Sequence, residues 1–266
     1  MLGTDALLPG IRSLVVLVAT VPCGCFNFQV EPQLATPQRP NISADTNTTA
    51  PGTFELEAGG QIDPHDSWEI PLTLKWGMSE DAELFVGWSP YQQEDRTGPD
   101  ASGIGDTLVG LRYRFLEETK AVPSAAVQLM TKLPTGDEND GLSTGETDFL
   151  AAAIFTKEVG RVSTTFFYQL GILGEPDEAD TDIEHTFALD GSFPLGDEWA
   201  FNLELAAVET PEQDLNEIFT TVGFSWAVSP DLVLDAGVVV GLNDDAQDFQ
   251  VVFGFTKNFG GPGLGR

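Results

Sequence analysis

The sequence predicts an all-β protein, a transmembrane up-and-down antiparallel β-barrel of about twelve strands. Three observations support this fold class. Apolar and polar residues alternate in successive segments of roughly 8–12 residues, close to the 9–11 that a tilted transmembrane strand needs. Short connections alternate with longer, acidic ones along the chain. Aromatic residues recur near the ends of the apolar faces, where membrane barrels carry aromatic girdles.

The residues before this alternating pattern predict an exported protein. Arg12 is followed by the apolar run "SLVVLVATV", so residues 1–25 are interpreted as a signal peptide. Cys23 and Cys25 leave lipoprotein-type processing open as an alternative. Residues 26–51 lack periodicity and are rich in Pro, Thr and Asn, which predicts a flexible linker. Residues 52–260 are then predicted to form the barrel, and residues 261–266 a C-terminal tail.

Each barrel strand is predicted from a set of apolar residues with one parity, because successive side chains in a strand point to opposite faces. In chain order these sets span Phe54–Ala58, Trp68–Trp76, Leu84–Trp88, Val109–Phe115, Ala125–Leu133, Phe149–Phe155, Val162–Leu170, Ile183–Phe193, Phe201–Ala207, Ile218–Val228, Leu232–Leu242 and Phe249–Phe259. No segment long enough for a helix has a period of about 3.6 residues, which disfavours alternating strands and helices.

The connections between these strands fall into two classes that alternate. The short ones are "GMSED", "LEETKAVP", "KEVG", "PLGDE" and "VSPD". The long, acidic ones are "GGQIDPHD", "SPYQQEDRTGPDASG", "PTGDENDGLSTG", "GEPDEADTD", "ETPEQDLN" and "LNDDAQD". Such sorting is typical of outer-membrane barrels, which have periplasmic turns at one end and external loops at the other.

Aromatic residues indicate that the apolar face meets lipid. Trp68 and Trp76 lie on one apolar face, and their spacing corresponds to roughly 20 Å along the axis of a tilted strand. This is close to the apolar band of about 25 Å in membrane barrels. The predicted girdle residues are Trp68, Trp76, Trp88, Tyr113, Phe115, Trp226 and Phe259.

The opposite face carries charged residues and is predicted to line an aqueous lumen. The candidate solute path consists of Lys75, Glu83, Asp106, Arg112, Arg114, Lys132, Asp148 and Asp235. Unpaired buried charges would each cost several kcal/mol, so the lumen must contain water or its charged side chains must form ion pairs with one another. The basic residues among them could form a wall that selects an anionic solute. Alternatively, they form ion pairs that fill a narrow lumen.

The composition excludes several classes of function. Lys+Arg 12 against Asp+Glu 42 gives a net charge of -30, whereas nucleic-acid binding requires a basic surface. No Cys or His cluster has the spacing of a zinc site. The sequence therefore predicts no enzyme, no metal and no cofactor.

Four segments resemble a known outer-membrane family over roughly residues 50–259. They are "GIGDTLVGLRYRFLEE" (103–118), "KLPTGD" (132–137), "SPDLVLDAGVVVGLN" (229–243) and "DFQVVFGFTKNF" (248–259). They are similar to the family labelled putative MetA-pathway of phenol degradation. The resemblance implies a barrel in the outer membrane of a Gram-negative-type bacterium that passes hydrophobic or aromatic compounds.

The predicted function is therefore an outer-membrane channel for small solutes, hydrophobic or aromatic ones among them, with passive diffusion through a charged lumen. The alternative is a closed structural or surface-interaction barrel whose acidic loops bind cations or partners. The expected partners are membrane lipid, a small solute and the barrel assembly machinery. Gly254 and Phe259 in the last strand keep the spacing of an assembly signal.

Overall fold

The computed structural model describes residues 35–63, 67–94, 101–138, 142–174 and 181–260. The predicted signal peptide with Cys23 and Cys25 and the predicted C-terminal tail lie outside these residues. Within the described ranges, no helix is long and apolar enough to cross a membrane.

The described chain consists almost entirely of β-strands. In chain order they are β1 (Phe54–Asp63), β2 (Ser67–Glu69), β3 (Leu72–Ser79), β4 (Ala82–Trp88), β5 (Gln92–Glu94), β6 (Ala101–Gly103), β7 (Thr107–Leu116), β8 (Ser124–Leu133), β9 (Asp148–Val159), β10 (Val162–Gly174), β11 (Thr181–Pro194), β12 (Trp199–Thr210), β13 (Leu215–Ser229), β14 (Leu232–Gly241) and β15 (Phe249–Asn258). A single turn of 3-10 helix (Pro211–Gln213) connects β12 to β13.

Twelve long strands form a closed antiparallel ring. Neighbours in sequence pair throughout, and β1 pairs with β15 from Glu55↔Asn258 to Ile62↔Val251, which closes the barrel. The predicted fold class, an up-and-down barrel of about twelve strands, is confirmed. The three remaining strands, β2, β5 and β6, have three residues each and form a small extension at the long-loop end.

One predicted strand, Trp68–Trp76, is divided in the structure. Its first part is β2 in the extension, and its second part is β3 in the barrel. The division falls at Pro71, which has no backbone N–H to give to a neighbouring strand. Trp68 and Trp76 therefore do not bracket a single transmembrane strand.

The two faces of the barrel have opposite chemistry. On β7, Val109 is 41% exposed and faces outward, whereas Arg112 is 4% exposed and faces the lumen. The same alternation continues around the ring, with apolar side chains outside and polar side chains inside. A soluble barrel has the reverse arrangement, so the outer face is suited to lipid.

The aromatic residues on the outer face concentrate at the short-turn end. Five of the residues named for the girdle lie there: Trp76, Tyr113, Phe115, Trp226 and Phe259. The structure adds two residues to this group: Trp199 stacks on Trp226 at a centroid distance of 5.2 Å, and Phe54 stacks on Trp76 at 6.3 Å. Trp88 lies at the opposite end of β4, and Trp68 stacks on Tyr91 beyond it.

The structure differs from the prediction of a flexible linker. Of residues 26–51, those from 35 onward lie inside the barrel and are hydrogen-bonded to its wall. The reason is that their polar side chains and backbone groups pair with the buried charges of the lumen. We call residues 35–53 the plug.

Candidate functional site: the lumen and its plug

The plug enters and leaves the lumen at the short-turn end. Its first described residue, Ala35, donates its N–H to the carbonyl oxygen of Pro230 in the turn between β13 and β14 (2.9 Å). Its last residues lie beside Gly77 at the end of β3, where the N–H of Gly52 binds the Gly77 carbonyl oxygen (2.7 Å). Between these points the chain forms a loop without regular secondary structure in the short-turn half of the lumen, and the tip of the loop reaches Glu204.

Lys75 holds the entering arm of the plug against the wall. Its ammonium group lies 2.6 Å from Glu55 Oε1 and 2.8 Å from Glu57 Oε1, and it donates to the carbonyl oxygen of Thr36 at 2.7 Å. These contacts use all three ammonium hydrogens. Thr36 and Gln38 return backbone N–H groups to Glu55 and Glu57. The charged groups of Lys75, Glu55 and Glu57 therefore bind the plug as well as one another.

Glu204 on β12 binds the tip of the plug. Its carboxylate accepts the N–H of Ile42 at 3.0 Å, the N–H of Ser43 at 2.9 Å and the hydroxyl of Ser43. Asp190, its cross-strand neighbour on β11, accepts the side-chain amide of Asn41 at 2.5 Å. Two carboxylates side by side would repel each other in an empty lumen, and the plug supplies donors to both.

The register of the strands builds a polar band for the plug. Cross-strand pairing places six hydroxyl and carboxylate side chains in one row around half of the lumen: Ser124, Thr156, Thr165, Asp190, Glu204 and Thr221. The adjacent row is apolar and packs around Ala44 of the plug; it contains Ala126, Ile154, Phe167, Ala188, Ala206 and Phe219. The plug therefore meets wall groups of matching polarity at both levels.

Arg112 anchors the leaving arm of the plug. Its guanidinium lies 3.2 Å from Glu83 Oε1, binds Gln128 Oε1 at 2.7 Å, and donates to the carbonyl oxygen of Asn47 at 3.0 Å. Glu83, which is fully buried, accepts the N–H of Thr49 at 2.7 Å. Two backbone groups of the plug thus form hydrogen bonds with the buried ion pair of Arg112 and Glu83.

The other predicted path residues lie at different heights in the barrel. Arg114 lies at the short-turn rim, 2.8 Å from Asp81. Lys132 lies in the long-loop half, 2.6 Å from Asp148 and 3.7 Å from Asp106. The structure therefore distributes the predicted residues over several separate ion pairs rather than one site.

Asp235, the last predicted path residue, faces Arg39 of the plug at 3.6 Å. Of the four basic residues that suggested an anion-selective wall, each is paired with a carboxylate: Lys75, Arg112, Arg114 and Lys132. Their contacts match the alternative interpretation, in which ion pairs fill the lumen. Among the residues that the structure describes, no three His, Cys, Asp or Glu side chains are placed to hold a metal ion.

Sequence reasoning missed the plug and the wall residues that bind it, although lumen-facing glycines in the sequence signal them. Gly59 and Gly254 occupy lumen-facing positions on paired strands, and a Cβ at either would lie within 2.8 Å of Arg39 side-chain atoms. A Cβ at Gly223 would likewise lie 2.9 Å from Pro40. Glycine inside a strand marks the close approach of another chain segment, here the plug.

The long-loop side of the plug borders a cavity of about 350 Å³, which we call the vestibule. Its floor is formed by Pro40 and Ile42 at the tip of the plug, and its walls include Phe219, Glu217 and Gln250. The vestibule is the space that a solute from the long-loop side would reach before it met the plug.

Ion pairs at the short turns predict a dependence of stability on pH. A hydrogen bond from Lys257 holds the pKa of Asp231 below its ordinary range, and one from Lys157 lowers the pKa of Glu118. Both carboxylates therefore stabilise the fold at neutral pH, and this contribution is lost as the pH falls below about 4. Asp231→Asn should lower the unfolding midpoint slightly at pH 7 and by less near pH 3. An equal loss at both pH values would contradict this assignment.

Comparison with known proteins gives a family match and similar barrels. The model of the family described as "Putative MetA-pathway of phenol degradation" matches residues 38–259. An outer membrane channel from Pseudomonas putida F1 is 12% identical and has a TM-score of 0.65, with 83% of this chain and 100% of that chain covered. The NanC porin is 9% identical and has a TM-score of 0.55, with 76% and 97% covered. At these identities the likeness concerns the fold.

Proposed function

The chain belongs to the family described as "Putative MetA-pathway of phenol degradation", and from this premise we infer that it is a channel for small solutes in the outer membrane of a Gram-negative-type bacterium. The observation that supports the inference most directly is the closed twelve-stranded ring with an apolar outer face and a polar lumen. The similar barrels described above include a channel and a porin.

The plug determines how such a channel would conduct. Because the plug lies in the short-turn half of the lumen and is hydrogen-bonded to its wall, we infer that it obstructs the pathway at that end and that conduction requires it to shift. Most of its contacts with the wall are hydrogen bonds and ion pairs, and the apolar packing around Ala44 adds to them. Water can replace such contacts, so displacement of the plug is physically reasonable. We propose a channel that is closed at rest and opens by movement of the plug.

The solutes proposed for this channel are small molecules with hydrophobic or aromatic groups, as the family description suggests. Membrane lipid and the barrel assembly machinery, through β15, are its proposed partners. These proposals rest on the family match and on the apolar surfaces that the vestibule contains.

Reconstitution of the purified full chain tests the channel proposal. We expect brief openings of small conductance in planar bilayers, and flux of small aromatic solutes into liposomes. Absence of both current and flux, also after removal of the plug, would contradict the proposal.

The filled short-turn half of the lumen favours one alternative, a closed barrel that serves structure or surface interaction through its acidic loops. This alternative predicts no current under any of these conditions. Binding of partners or cations at the cell surface should then depend on the long acidic loops. Replacing a loop such as 242–248 by a short neutral turn should abolish that binding, and persistence of the binding would contradict this alternative.

A further inference from the structure

We propose that the vestibule binds small organic cations, molecules with an apolar body and an ammonium head. This inference deepens the proposed function and rests on it, because the vestibule is the space in which a solute would wait before the plug moves. The cavity, of about 350 Å³, has the size of small-molecule sites. Its lining divides into an apolar part and a polar part.

The apolar part includes the tip of the plug. Ile42 is 51% exposed although it lies inside the barrel and does not face the outer apolar belt. Pro40 lies beside it, and Phe219 and Val239 provide apolar surface on the wall. An aliphatic side chain that is half exposed in a polar lumen gains free energy when an apolar group covers it. These side chains therefore fit the body of an aliphatic or aromatic molecule.

Among the described residues of the polar part, the carboxylate of Glu217 is the one charged group, and it lies beside the side-chain amides of Gln61 and Gln250. In the described part of the chain Glu217 has no cation within ion-pair distance, and the nearby carboxylates of Glu184 and Asp245 add negative charge. Such surroundings attract a cation and repel an anion. The amides can accept the remaining ammonium hydrogens.

Binding of three matched probes to the full chain tests the inference. Phenethylammonium, phenethyl alcohol and phenylacetate share a similar body and differ in the charge of the head. Titration calorimetry in detergent should give the tightest binding for the ammonium. We expect about a tenfold preference over the alcohol, as one charge-assisted hydrogen bond provides. Phenylacetate should bind most weakly.

Two variants and a control distinguish the contribution of the charged part of the site from that of the apolar part. Glu217→Gln should remove the preference for ammonium over alcohol. Glu209→Gln makes the same charge change on the exposed outer face at a similar height, and it should keep that preference. Ile42→Asn should weaken ammonium and alcohol binding by a similar factor, because it removes apolar surface without altering the backbone contacts of Ile42 with Glu204.

The outcomes distinguish this inference from the channel proposal when potassium chloride conductance is measured on the same preparations. Equal affinity for ammonium and alcohol, or a preference that survives Glu217→Gln, would overturn the inference even if the protein conducts. A preference that depends on Glu217 supports the inference, also when neither the full chain nor the plug deletion shows conductance or solute flux, and in that case only the channel proposal fails.

Discussion

Removal of residues 35–51 is expected to raise the single-channel conductance several-fold. In the full chain these residues contact lumen-facing side chains on most of the strands. Without them, water would fill the short-turn half of the lumen and solvate Glu204, Glu83 and Asp190. The loss of paired contacts should lower the thermal stability. The barrel should still form, because its strands pair with one another, including β1 with β15, and none of these pairings involves the plug. Planar bilayer recordings of the deletion variant measure the effect.

A disulfide that fixes the plug provides the reverse experiment. The hydroxyl groups of Thr46 and Ser124 lie 2.6 Å apart, so cysteines at both positions are suitably close for a bond between the plug and β8. The oxidised double variant should show fewer openings than its reduced form. Single variants at either position serve as controls and should not respond to reductant. Equal conductance of the deletion variant and the full chain would show that the plug is not the obstruction.

Lys75→Met is expected to cause the largest loss of stability among single substitutions in the lumen. Lys75 is 2% exposed, and its removal leaves the buried carboxylates of Glu55 and Glu57 without a cation. Breaking a buried ion pair by removing one partner costs about 3–5 kcal/mol. The free energy of unfolding, measured by denaturant titration with tryptophan fluorescence, should fall by this amount. The entering arm of the plug should also exchange its amide hydrogens faster.

Two further variants test the physical reason. Lys157→Met removes an equally close ion pair with Glu118 at the short-turn rim, where both side chains are partly exposed. Exposed pairs contribute about 0–1 kcal/mol, so this variant should lose little. Combining Lys75→Met with Glu55→Gln and Glu57→Gln should recover part of the loss, because no buried charge then remains unpaired. A similar loss for the two lysine variants would refute the argument from burial.

The fold could be predicted from the sequence because its strands are determined locally. Side chains alternate with a period of two, and each predicted apolar set matches one face of a strand in the barrel, except where Pro71 divides β2 from β3. Aromatic residues such as Trp76 and Tyr113 lie at strand ends that the short turns define, whereas Trp68 and Trp88 lie towards the long loops. Trp199 was missed because it begins its strand.

The plug could not be predicted in the same way. Residues 35–53 have no period, and their partners, such as Glu204 and Arg112, are distant in sequence. A polar segment of this composition resembles a linker until its surroundings are known. The lumen charges were identified by parity, but which carboxylate pairs with which cation depends on register and height. Excess carboxylates on the inner face and lumen-facing glycines such as Gly59 were the available signals.

Both arms of the plug lie at the same opening of the barrel, with Ala35 beside Pro230 and Gly52 beside Gly77. Between these two contacts the described segment forms a loop that does not pass through the opposite opening. This loop can therefore leave the lumen without unzipping the seam between β1 and β15. Its release would still require breaking the hydrogen bonds and the ion pair with the wall and the apolar packing around Ala44.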